Sequence, residues 1–225
     1  MDTLLQVQNL TKTYLDGVTE FVAIRQVDLS LQAGAFAALS GPSGCGKTTL
    51  LNIIGCIEVP DGGAVSFEGE TVPFDKMTVL DKFRRENVGL VFQDFNLISV
   101  LTAYENVELP LLYNSKVSAT ERRRRATDLL TAVGLAEHIH KYPRALSGGQ
   151  CQRVAVARAM VNHPKLVLAD EPTANLDSQS AQDVMGLMHD LNEQHGTAFL
   201  IATHDPRVMD QFDHNYAMLE GQIQV

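Results

Sequence analysis

Apolar residues along the chain follow two rhythms. Short runs that are apolar at nearly every position recur at residues 4–7, 36–39, 88–92, 166–168 and 198–202. Such runs are the mark of strands covered on both faces. Between them the spacing changes. Over residues 178–194, Val184, Leu187, Met188 and Leu191 fall at helical intervals, which predicts an amphipathic helix. Strand and helix alternation of this kind predicts an α/β fold around a mainly parallel sheet. The middle of the chain differs. From about residue 103 to residue 160 the pattern is helical, with no convincing strand. There Ser118 precedes a helix carrying Glu121 and the arginine run 122–125, and Gly134 is placed to stop it. The 225 residues are therefore read as one domain, 1–225, with an α/β core at 1–94 and 162–225 and a helical lobe inserted at 95–161.

Composition adds mainly exclusions. A formal charge of −9 argues against a general nucleic-acid binder, which carries a basic face. No stretch of roughly 18 uncharged apolar residues occurs, so no transmembrane helix is predicted. The start, MDTLLQVQNLTKTY, lacks the basic and then apolar pattern of a signal peptide. Cys45, Cys56 and Cys151 fit no metal-ligand spacing, and their odd number argues against a disulfide framework. A reducing cytoplasm is the simplest setting.

Chemistry enters at residues 41–48, GPSGCGKT, between an apolar run and a helical one. This is G-x-x-x-x-G-K-[ST] in strand–loop–helix context, a phosphate cradle. Gly41, Gly44 and Gly46 let the loop curl so that its N–H groups point inward, and the helix start adds positive partial charge. Lys47 is placed for the β- and γ-phosphates and Thr48 for Mg²⁺. Cys45, inside the loop, reads as a small buried side chain. A glycine-rich connector is the bland alternative, and the Lys-Thr pair argues against it. Residues 165–171, KLVLADE, end a strand in two acids. Asp170 is the expected Mg²⁺ partner. Glu171 is the candidate general base. His204 follows the apolar run 198–202, predicted to neighbour the strand ending at Asp170, which would bring it to the same edge. Gln93 follows the run 88–92 and can reach Mg²⁺ or the attacking water.

LSGGQ at 146–150, with GPSGCGKT, LVLADE, ANLD and THD in this order, resembles the ATP-binding subunits of ABC transporters over essentially the whole chain. The resemblance implies a P-loop NTPase core with an N-terminal antiparallel β part and an inserted helical lobe. It implies ATP and Mg²⁺ as ligands and a head-to-tail homodimer with shared sites. Ser147 is able to cap a helix, and Gly148 and Gly149 permit close backbone approach. With Gln150 they look like the segment that contacts the γ-phosphate held by the other subunit. Pro42, Ser43 and Thr49 complete the phosphate loop. Tyr14 looks like the aromatic that stacks on adenine, although an ordinary strand-end tyrosine is its bland reading. Asn175, Leu176 and Asp177 look like the loop that touches the opposite site, with Asp177 assigned to the nucleotide. Gln93 looks like the link to the helical lobe, and Arg153 and Arg158 like structural arginines.

A finer likeness, through VGLVFQDFNLISVLTAYENVELPLLY and EPTANLD, is to the lipoprotein-release and macrolide-export subfamily and its cell-division relative. It implies a membrane permease partner that inserts a short cytoplasmic coupling helix near residues 95–113, and a peripheral place on the cytoplasmic face of the inner membrane. The alternative within that subfamily is an ATPase that regulates cell-wall cleavage through a membrane scaffold. The arginine run 122–125 reads as a solvated face balanced by acids, or as a contact for lipid head groups. A soluble phosphotransferase and a non-hydrolysing scaffold are competing classes. LSGGQ argues against the first, and the set Lys47, Asp170 and Glu171 against the second.

Overall fold

The computed structural model describes residues 2–17, 19–114 and 116–224, all but the side chain of Asp16 among them. In chain order the strands are β1 (Thr3–Asp16), β2 (Thr19–Gln32), β3 (Phe36–Ser40), β4 (Gly62–Phe67), β5 (Glu70–Thr71), β6 (Val88–Val91), β7 (Leu166–Asp170), β8 (Ala198–Thr203), β9 (His214–Leu219) and β10 (Gln222–Ile223). The helices are α1 (Lys47–Ile54), α2 (Met77–Asn87), α3 (Ala103–Leu112), α4 (Ala119–Ala132), α5 (Gly148–Met160) and α6 (Ser178–His195).

Two sheets form. The smaller is antiparallel, in the order β2-β1-β4-β5, with Leu5 opposite Leu31 and Tyr14 opposite Phe21. In β2, Val27, Leu29 and Leu31 are buried and the residues between them are exposed, as a sheet with one wet face requires. The larger sheet has the order β10-β9-β3-β8-β7-β6, parallel throughout except for the β9–β10 pair at its edge. P-loop core, mainly parallel sheet and N-terminal antiparallel part thus appear as the resemblance implied.

Successive residues of a strand point to opposite faces, and β7 divides accordingly. Leu166 and Leu168 join the core under the small sheet and α1, with Leu39, Leu50 and Ile53. Val167 and Ala169 join the core under the helices, with Val154, Val184 and Met188. Burial on both faces explains why this strand and β8 read as unbroken apolar runs.

From β6 to β7 the described residues hold helices and short 3₁₀ turns but no strand. Polar side chains set the starts of most helices. Thr102 and Glu105 form a capping box on α3, and Ser147 and Gln150 do so on α5. Ser118 accepts from Glu121 N at α4, and Asp177 from Gln179 N and Ser180 N at α6. Each such cap stabilises by about 1 kcal/mol. At α1 the N-cap is Gly46, no side chain caps the helix, and its first turn holds no acid. Its leading N–H groups are therefore left to a ligand or to water.

Periodicity did not single out β2, β4, β5, β9, β10 or α2. β4 and β5 are short and glycine-bounded or polar, and α2 buries only Leu80. The parallel order brings the C-terminal ends of β3, β7 and β8 to one edge, where open α/β sheets hold ligands.

Candidate functional site

At that edge lies a cleft of about 400 Å³ lined by Phe21, Ala23, Ser43, Gly44, Gly46, Lys47, Thr48, Thr49, Gln93, Asp170, Glu171, Ala174 and His204. The phosphate loop is its floor. Gly41 has φ +155, and a Cβ there would lie 2.2 Å from Met218 O and 2.8 Å from Cys45 Sγ. Gly46 has φ +108, and a Cβ there would lie 2.5 Å from Ala23 O. Neither contact is physically open to a side chain, so both positions require glycine. The same close approach locks the loop against β2 and β9. Cys45 is buried, as the sequence suggested for a small side chain, and Gly221 N donates to its carbonyl.

Lys47 is buried. Its Nζ donates to Gly41 O (2.8 Å) and Pro42 O (3.1 Å) and lies 3.5 Å from Glu171 Oε1. Thr48 Oγ1 donates to Asp170 Oδ2 at 2.7 Å. Asp170 Oδ1 is buried and finds no protein partner. Burial pushes this carboxyl above its ordinary range and the Glu171 charge adds to the rise, while the Thr48 bond and Lys47 oppose it. A desolvated carboxylate oxygen beside a threonine hydroxyl is hard oxygen chemistry. It suits Mg²⁺, which is held by few protein oxygens together with waters and phosphates. Among the described residues no cluster of three or more His, Cys, Asp or Glu is gathered to hold a metal alone. The donor set thus fits a metal that arrives with its nucleotide.

Glu171 adopts φ +48, uncommon for a non-glycine residue. Its N–H donates to Ala202 O. Its carboxylate lies between Lys47 and His204, with Oε1 2.7 Å from His204 Nδ1. As a carboxylate, Glu171 requires Nδ1 to carry the proton. β8 pairs with β7 as the sequence reading required, and this pairing brings His204 to Glu171. Gln93 is exposed at the cleft margin, and its carbonyl accepts from Asn175 Nδ2 at 3.2 Å.

Gly41, Pro42 and Cys45 back the phosphate loop rather than line the cleft, and three further groups of predicted residues stand apart from it. Tyr14 donates its hydroxyl to Glu58 Oε1 (2.6 Å) and sits 3.4 Å from Thr49 Oγ1, on the flank of α1. It is Phe21, opposite Tyr14 in the hairpin and exposed, that lines the cleft. Sequence reasoning missed Phe21, because its partner in the hairpin emerges only from strand pairing. Ser147, Gly148, Gly149 and Gln150 start α5 outside the lining. A Cβ at Gly148 would lie 3.5 Å from Leu176, and one at Gly149 would lie 3.2 Å from Ser180, so this start packs on that of α6. Asp177 caps α6 with its own carboxylate. Within one chain the two glycine-bearing helix starts do not converge.

A larger groove, of about 600 Å³, runs between α2, β6 and α5. It holds arginines and apolar residues but no acid–base constellation like that at Glu171.

The ABC transporter family matches residues 24–174. The ABC transporter ATP-binding protein YvrO of Bacillus subtilis is 42% identical over 98% of this chain and 95% of its own length. The macrolide export ATP-binding/permease protein MacB of Syntrophobacter fumaroxidans is 44% identical over 91% of this chain, which spans 29% of that protein. Among solved structures, the dimeric post-hydrolysis state of the cassette MJ0796 of Methanocaldococcus jannaschii, bound to ADP and phosphate, superimposes with a TM-score of 0.88. It is 41% identical, with 99% of this chain and 97% of that one covered.

Proposed function

The chain belongs to the ABC transporter family, and on that premise we propose that it is the ATP-hydrolysing motor subunit of a membrane export or mechanotransmission complex, working as a head-to-tail homodimer. Lys47 and the uncapped N–H groups of α1 bind the β- and γ-phosphates. Thr48, Asp170 and Gln93 hold Mg²⁺, which, when bound, neutralises charge on the phosphate oxygens. Glu171 takes the proton of the attacking water. His204 holds Glu171 in place and reaches toward the γ-phosphate. Phe21 frames the adenine from the cleft wall, and Tyr14, its partner across the hairpin, stands beside it on Glu58 and Thr49. Ser147 to Gln150 of one protomer close on the nucleotide held by the phosphate loop of the other, and Asp177 anchors the loop that crosses between them.

The observation that carries this reading is one constellation at the sheet edge. Thr48 bonds Asp170, and Glu171 contacts both Lys47 and His204. The dimeric, ADP- and phosphate-bound state of MJ0796 supports the pairing. The groove beside α2 and α5 suits a short amphipathic helix of a membrane permease, with Leu90, Pro110 and Tyr113 as apolar contacts and Arg84 and Arg85 beside them. Among the described residues no helix is long and apolar enough to cross a membrane. On this reading the partner supplies the spans and the chain sits peripherally at the cytoplasmic face of the inner membrane.

The test is Glu171→Gln. It is expected to keep ATP binding, lose about 10²- to 10⁴-fold in turnover, and elute as a dimer with ATP and Mg²⁺. Near-normal hydrolysis by this variant removes Glu171 from the base role. A monomer at saturating ATP and Mg²⁺, also without cross-linking between protomers, sinks the shared site.

A further inference from the structure

Arg158, on the last turn of α5, is a guanidinium with an unusual set of partners. Among the described residues it forms no ion pair with a carboxylate. Its Nη2 donates to Phe95 O (2.8 Å) and its Nη1 to Asn96 O (2.5 Å). Burial lowers its pKa from the usual arginine value, so the charge is held at a desolvation cost that two carbonyls offset. Those carbonyls belong to consecutive residues in left-handed backbone, Phe95 at φ +60 and Asn96 at φ +48. A phenylalanine in that region is strained unless its surroundings impose it. The planar fork of one arginine grips both carbonyls of this corner, beside the loop's own bonds from Phe95 N to Phe92 O and from Asn96 N to Asp94 O, and a lysine ammonium has no equivalent geometry.

The corner follows Gln93 by two residues. The rest of that loop is braced on both sides. Gln152, fully buried on α5, donates to Phe92 O at 3.5 Å. Asn175 donates to Gln93 O and, at 3.0 Å, to Asp94 Oδ1. Among the described residues no hydrogen bond holds the Gln93 side chain itself; only its carbonyl is held. Its place at the cleft margin is set by the backbone, and Arg158 fixes the end of that backbone at which the strain sits.

We propose that Arg158 is a positioning residue for hydrolysis, setting where Gln93 stands in the cleft by gripping the carbonyls of Phe95 and Asn96. This rests on the reading of the cleft as an ATPase site. Arg158 touches no phosphate-loop residue, so nucleotide affinity does not depend on it. Misplacing a group in a reacting site costs up to about a hundredfold in rate.

A double-mutant cycle with full-length protein tests this, with kcat, KM, the Mg²⁺ concentration for half-maximal rate, and binding of a fluorescent ATP analogue as readouts. Arg158→Lys is expected to lower kcat about ten- to a hundredfold and raise the Mg²⁺ requirement, with KM and analogue affinity within about twofold of wild type. In a Gln93→Ala background the same substitution is expected to change kcat by less than about twofold, because residues acting through one another are non-additive. Equal losses in both backgrounds, or an unchanged kcat for Arg158→Lys, overturn the proposal. If Arg158→Lys does not fold, Arg158→Gln, which keeps a donor for one carbonyl but not the fork, takes its place in the cycle under the same criteria. A wild-type chain that hydrolyses no ATP defeats the function proposed above. Wild-type turnover with additive variants defeats only this inference.

Discussion

Asp170 shows how the cleft stores an electrostatic demand. Its pKa is raised in the folded chain, first by burial and then by Glu171. For an acid raised on folding, the folded state holds its proton more tightly than the unfolded state. Its contribution to stability is therefore fully present below the unfolded value of about 3.9 and is lost as pH rises through the folded value. At neutral pH the ionised carboxylate is a burden on the free protein. Asp170→Asn is accordingly expected to melt higher than wild type at pH 7 without nucleotide. The gap should narrow as pH falls toward the carboxylate range, and the extra stabilisation by ATP with Mg²⁺ should be lost. Thermal melts between pH 8 and 5 read both effects; a lower melting temperature for the variant at pH 7 contradicts them. Next door, Tyr14 and Phe21 separate by role. If Phe21 frames the base, Phe21→Ala weakens ATP binding about 5- to 150-fold, as expected for loss of one aromatic stack of about 1–3 kcal/mol. Tyr14→Phe, which loses only the hydroxyl bonds to Glu58 and Thr49, keeps affinity in an equilibrium titration. The phosphate loop and the acid pair were legible because adjacent residues carry the signal. Phe21 was not, since its place depends on the pairing register of β1 and β2, which no run of adjacent residues spells out.

Helix starts divide the elements into those finished within the chain and those left open. Ser147 is finished. Its hydroxyl accepts from Gln150 N at 3.2 Å, and Gln150 Oε1 accepts from Ser147 N at 3.0 Å. Ser147→Ala is expected to cost about 0.5–2 kcal/mol of stability, measured by urea unfolding of the monomer. It should also weaken the ATP-bound dimer, which loss of the cap alone does not predict. An ATP-bound dimer of wild-type affinity in that variant removes Ser147 from the closed interface. At the element scale, α4, α5 and α6 were readable from Ser118, Ser147 and the helical spacing after Asp177. By contrast, α2 starts at Lys76 without a side-chain cap and buries a single leucine, so neither local signal was present. β9, which begins His-Asn-Tyr, owes its place to pairing with β3 rather than to an apolar rhythm of its own.

Across the whole molecule, charge is spread to keep faces separate. The arginine run on α4 is largely neutralised at home. Arg124 pairs with Glu121 and Asp128, Arg125 with Glu121, and Arg122 with Glu108. Arg124 first, then Arg125, holds Glu121 down to about 2. This favours the solvated-face reading over a lipid contact. On the proposed reading the groove is the face that meets the membrane partner. Tyr113, 68% exposed at its rim, is expected on Tyr113→Glu to keep its melting temperature and lose co-purification with the membrane subunit. Undiminished co-purification places the permease elsewhere. Composition alone did not show the groove, because it forms where α5, far along the chain, packs beside α2 and β6.

One feature of the large sheet reaches beyond the residues it contains. β8 lies between the strand that ends in the phosphate loop and the strand that ends in Asp170, so those two loops stand about two strand spacings, roughly 10 Å, apart. β8 works as a shim. Its six buried residues set the width of the mouth, and its length sets which way His204 faces on leaving the pleat. One residue inserted within Ala198–Thr203 would turn every later side chain to the opposite face and unhook His204 from Glu171. Hydrolysis would fail with every atom of the phosphate loop still in place.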